Sequence, residues 1–173
     1  FLNFSVLPTI CSKETQTNPE FMIKDIFTAA VTEEVISRIQ QLRSDSKPQW
    51  GKMNTAQMFA HCNVAYTYTY QPEQFKAPGA IKKFFLKAFL KKIVTGPKPY
   101  SKNSPTAPDF LIADERDLEK ERSKLIENLR RTQQLGRSHF EGKENFSFGK
   151  MTSDEWNNLF YKHIDHHLHQ FGV

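Results

Sequence analysis

Apolar residues recur along this chain at spacings of three and four, in blocks separated by Pro, Gly and Ser, which is the signature of amphipathic helices. Val35, Ile36, Ile39 and Leu42 form the first such stripe, over Thr32–Leu42, with Thr32 placed as an N-cap and Glu33 and Glu34 in the first turn. Asp45, Ser46 and Pro48 end it. Asn54 and Gln57 then have the spacing of a capping box, predicting a second helix to about Tyr70. After Pro72, Pro78 and Gly79, the run AIKKFFLKAFLKKIV alternates paired apolar residues with lysines and predicts a basic amphipathic helix. Residues 96–108, dense in Pro, Ser and Lys, are expected to be a mobile crossing loop.

Asp114–Leu135 carries a narrow stripe of Leu118, Leu125, Ile126 and Leu129 among paired charges, predicting a long, largely solvated third helix. Gly136, Gly142 and Gly149 mark a loop over 136–150 expected to pack Phe146 and Phe148 inward. Thr152 and Glu155 form a second capping box, starting a fourth helix from Ser153 to about Phe171 with Trp156, Leu159, Phe160 and Ile164 on a wide apolar face. This order implies an all-α fold: a four-helix bundle with at least one crossover connection and an extra basic amphipathic helix.

Composition narrows the class further. With 173 residues, 38% of them hydrophobic, the chain can bury one core, so a single domain over 22–173 is expected, with residues 1–21 read as a leader or extension outside the fold. Fifteen Phe against seven Gly disfavour a sandwich or barrel. The formal charge of +5 is concentrated between Lys82 and Lys92 and does not imply nucleic-acid binding. Two cysteines, Cys11 and Cys62, do not make a disulfide scaffold. No apolar run approaches the roughly 20 residues of a membrane span, so a soluble cytoplasmic protein is expected.

The histidines carry the candidate chemistry. Four of the six lie in the last eleven residues, within HIDHHLH. At about 100° per residue, His163 and His167 share a stripe with Trp156, Leu159, Phe160 and Phe171, and His61 shares a face with Met58, Val64, Ala65 and Tyr68. His166 falls at the margin, and Asp165 and His169 on the polar side. Each inward imidazole must find a hydrogen-bond partner or lose about 1–3 kcal/mol to desolvation. One divalent ion satisfies all three together, since neutral imidazole suits zinc, nickel or iron and an i, i+4 pair brings two rings to one ion. The bland alternative is three separate core or cap histidines satisfied by Gln57, Tyr68 or backbone carbonyls.

Gln57 and Gln170 flank the histidines on the same faces and are candidates to orient a ligand or water. Tyr68, Trp156 and His166 are candidate pocket residues, although Trp50 and Trp156 read first as aromatics that seal the bundle and only second as a pocket lining. Cys62 diverges from His61 by one helical step and reads as a packed, inert thiol. The basic helix reads as a lid or flanking helix with snorkelling lysines, the competing reading being an anionic membrane surface or acidic ligand. Serine-nucleophile, phosphate-loop and dinucleotide signatures are missing.

Two blocks, Trp50-Gly-Lys-Met-Asn-Thr-Ala-Gln-Met-Phe-Ala-His61-Cys and Phe148-Gly-Lys-Met with Trp156 and Tyr-Lys-His163-Ile-Asp-His-His167-Leu-His-Gln170-Phe-Gly, resemble the DinB/YfiT-like superfamily of helical metalloproteins over about 22–173. The resemblance implies a metal near one end of the bundle, held by one His of the second helix and an HxxxH pair of the last. It also implies a metal-dependent enzyme of thiol-transferase or hydrolase type acting on a small molecule, a low-molecular-weight thiol among the options, and a homodimer as a leaning. The alternative from a different class is a non-catalytic, stress-related binding module whose metal is structural or absent.

Overall fold

A computed structural model describes residues 22–173; the segment read as a leader, 1–21, lies outside the described residues. The described chain is mostly helical: α1 Ala29–Gln41, α2 Thr55–Tyr70, α3 Ala80–Phe85, a π-helical stretch Leu86–Leu90, α4 Lys91–Thr95, α5 Leu118–Phe140 and α6 Ser153–Gln170. A two-residue antiparallel ladder, β1 Glu144–Asn145 with β2 Gly149–Lys150, closes the turn between α5 and α6. No helix among the described residues is long and apolar enough to cross a membrane.

Helix ends follow the capping chemistry closely where two polar side chains cooperate. Both capping boxes form: Asn54 with Gln57 opens α2, and Thr152 with Glu155 opens α6. The first helix starts earlier than its apolar stripe suggested. Thr28 caps it, and Thr32 is buried one turn inside, its hydroxyl donating to the Ile26 carbonyl at 2.8 Å. Asp117 caps α5, so that helix begins at Leu118 and not at Asp114. Gly136, at φ 68°, breaks α5 before a last turn ending at Phe140.

α5 and α6 each pack against both α1 and α2 and against one another. Their apolar stripes meet in one core, where Trp156, Phe160 and Phe140 pack on one another in a cluster that also holds Ile36, Ile39, Phe59, Leu125 and Leu129. Phe148 is buried and Phe146 lies against Tyr68, as the aromatic loop suggested. Asn63 bridges α2 to α5, donating to the Glu121 carboxylate at 2.9 Å and accepting from Asn128.

Asp165, read as a solvated position, is instead buried and accepts from Arg38 of α1 at 2.7 Å. The helical wheel placed it opposite the histidines correctly, but α1 covers that side as well. Residues 96–108 run as an irregular connection into a 3-10 turn, Pro108–Phe110, that packs on α2. The basic helix does flank the core, with α4 against α6, but it turns much of its apolar surface outward.

Candidate metal centre

α2 presents His61 from its second turn, and α6 presents His163 and His167 one turn apart. The α2–α6 packing brings the three rings into a triangle with centroids 4.9, 4.6 and 5.0 Å apart. One ring nitrogen from each lies within 4.8 Å of the others. His61 and His167 are buried, while His163 keeps partial exposure and forms the open side of the cluster.

Two of the three tautomers are set by neighbours. The Nδ1 of His61 lies 2.8 Å from the Phe110 carbonyl, which can only accept, so the proton sits on Nδ1 and Nε2 carries a lone pair. The Nδ1 of His167 lies 2.8 Å from Oε1 of Gln170, whose amide nitrogen donates to the Trp50 carbonyl at 2.7 Å. That second bond fixes the amide's orientation, so His167 also donates from Nδ1 and keeps a lone pair on Nε2. His61 Nε2 stands 2.9 Å from His163 Nε2.

A single N–H on His163 can satisfy one of these two lone pairs. The hydrogen bond of His167 to Gln170 runs through Nδ1 and leaves its Nε2 to the cluster. A divalent cation at the centre would answer every lone pair at once, and the three donor nitrogens lie within 4.8 Å of one another, with His61 Nε2 and His163 Nε2 2.9 Å apart. The donor set therefore fits a divalent ion of the zinc, nickel or iron kind.

Electrostatics keeps the rings uncharged. Burial lowers the pKa of all three, against a partly opposing contribution from the Phe110 carbonyl at His61. His163 falls well below its usual value through burial and the adjoining imidazoles. His167 falls to about 3, mainly by burial, with Gln170 acting in the other direction. At neutral pH the cluster is three uncharged imidazoles.

The supporting residues sort differently from the sequence reading. Gln170 orients His167 directly. Gln57 is spent on its capping box and on the Asp114 carbonyl at 3.3 Å. Tyr68 does not touch the rings; its hydroxyl donates to Asp109 and its ring packs on Phe110, so it supports the turn that holds His61. Trp156 is fully buried against Phe140 and Phe160, with its indole N–H donating to the Lys143 carbonyl, and lies in the core and not at the cluster. His166 sits at the rim between Trp50 and Tyr100, each 5.7 Å away, with Lys102 over the Trp50 ring. Cys62 is buried and its thiol is pushed up by desolvation, an inert group as expected.

Phe110 and Gly51 escaped the sequence reading. Phe110 acts through its carbonyl, and a main-chain group has no residue signature. Gly51 has φ +81°, and a Cβ there would stand 2.5 Å from the Gln170 amide nitrogen; in the sequence it stood out only as part of the Trp50-Gly51 block, with no role of its own.

Comparison with curated proteins and with solved structures gives no match. A family described as a protein of unknown function, DUF1569, matches residues 25–172, nearly the whole described chain, and the chain belongs to that family.

Proposed function

We propose that this chain is a metalloprotein of the DinB/YfiT-like four-helix-bundle type, in which His61, His163 and His167 hold one divalent ion, and that it acts as a metal-dependent thiol transferase or hydrolase on a small molecule. The carrying observation is the convergence of three uncharged imidazoles from two helices, two of them held by Phe110 and Gln170 with lone pairs left for the centre. A divalent ion bound there supplies Lewis acidity to water or a thiol.

The chain's own groups prepare that site. The Phe110 carbonyl and the Gln170 amide each hold a proton at Nδ1, so neither ring can turn its N–H to the centre. The Phe110 ring, 5.3 Å from His61 and 5.9 Å from His163, shields one side from water. Trp50, Tyr100 and His166 form an aromatic rim suited to a small organic substrate. A free, buried Cys62 suits a reducing cytoplasm.

Elemental analysis of untagged protein beside His163→Ala tests the reading. One equivalent of metal in the parent and a large loss in the variant are expected; no metal in either removes the basis for an enzyme and leaves a proton-bridged histidine cluster, the non-catalytic reading. Activity screens with small thiols plus electrophiles, against esters and amides, then separate transferase from hydrolase.

A further inference from the structure

The rod from Ala80 to Thr95 meets the protein through a mixed face of lysines and small apolar contacts and leaves its aromatic stripe outside. Lys83 pairs with Glu144 at 3.2 Å, and Lys91 pairs with Glu155 at 2.8 Å while donating to the Lys150 carbonyl. Asn158 donates to the Thr95 carbonyl, and the buried Lys162 ammonium donates to the carbonyls of Ile93 and Gly96 at 2.9 and 2.6 Å, closing the C-terminal end of α4. Leu86 and Val94 are its partly buried apolar contacts with the core. Ile81, Phe84, Phe85, Phe89 and Ile93 face outward, with 56–78% of their surface exposed.

An amphipathic helix that stabilises only its own domain buries its apolar stripe, so this mounting needs an occupant for the outer face. Charge selects which. Residues 76–100 contain seven lysines and no Asp or Glu, and Lys87 and Lys92 stand exposed beside the aromatic stripe without an ion pair among the described residues. A second copy of the same face would set lysine against lysine. A broad apolar layer beneath a negatively charged surface complements both features.

We propose that the Ala80–Thr95 rod is an interfacial anchor that docks the protein on anionic bilayers, with Phe84, Phe85, Phe89 and Ile93 entering the acyl boundary and Lys87 and Lys92 engaging lipid headgroups. The anchor is separate from the histidine cluster and does not depend on its metal.

Co-sedimentation of the full chain with phosphatidylcholine vesicles containing roughly a third phosphatidylserine tests it, against phosphatidylcholine alone. Binding should be confined largely to the anionic vesicles and weaken with salt. K87Q/K92Q should weaken it about 25-fold, taking about fivefold per lysine, and F85S/F89S by more than about tenfold. All four positions are exposed, so circular dichroism melts should match the parent, and the two variants act through independent terms. The proposal is overturned by absence of vesicle binding, by equal binding to neutral vesicles, by binding that survives both variants, or by a parent dimer in analytical ultracentrifugation that F85S/F89S dissolves, which would make a second copy the occupant.

Discussion

Gly51→Ala changes a residue that touches no histidine, yet it should damage the centre. The added Cβ falls 2.5 Å from the Gln170 amide nitrogen, and the backbone is held at φ +81°. A non-glycine residue in that region costs roughly 1 kcal/mol or more. Gln170 is buried and tied at both ends, to the Trp50 carbonyl at 2.7 Å and to His167 at 2.8 Å, so it cannot yield without losing both bonds, at about 1 kcal/mol each. The sum is about 3 kcal/mol, or a melting point lower by roughly 6–12 °C for a domain of this size. Denaturant unfolding of metal-stripped protein measures the first effect. Competition with a chromophoric zinc chelator measures the second, a loss of metal affinity of roughly 10–100-fold once His167 is no longer oriented. A variant within about 1 kcal/mol of the parent would refute the packing argument. A destabilised variant with undiminished affinity would show that Gln170 does not position the ligand.

Other outcomes follow from the same contacts. In metal-stripped protein, stability should fall on acidification, because His167 titrates at about 3 when folded and at its ordinary 6.5 when unfolded. The neutral ring's contribution is complete above about pH 6.5 and declines as the pH drops toward 3, by roughly 1.4 kcal/mol at about pH 5.5 for this one residue, with His61 and His163 shifted in the same direction. Urea midpoints unchanged between neutral and mildly acidic pH would contradict the burial of these rings. Arg38→Met leaves the Asp165 carboxylate buried beside the exposed His169 and the Tyr161 hydroxyl, with no arginine to neutralise it, and should cost about 3 kcal/mol in equilibrium unfolding. The double change Arg38→Met with Asp165→Leu should recover most of that loss; a double variant as unstable as the single would place the cost elsewhere.

Much of the helical plan was legible because it is local. The capping boxes at Asn54 and Thr152, the glycine at 136 and the apolar stripes of α1, α2, α5 and α6 depend on neighbours within a turn. The boundaries that shifted did so for a local reason as well: Thr28 caps α1 in place of Thr32, and Asp117 caps α5 three residues after the start read at Asp114, a difference of backbone geometry that residue type alone does not reveal.

The inward phase of His61, His163 and His167 was likewise a property of helical period. That the three rings meet depends on how α2 and α6 cross, and the sequence contains no record of that angle. Tertiary structure also decided which groups serve the rings. It assigned Phe110 through a carbonyl, kept Gln170, spent Gln57 on its cap and drew Trp156 into the core. Period determines which way a side chain points; only packing determines what stands in front of it. The same division explains Asp165 and the Ala80–Thr95 rod, whose amphipathic patterns were plain but whose partners were a second helix in one case and open solvent in the other.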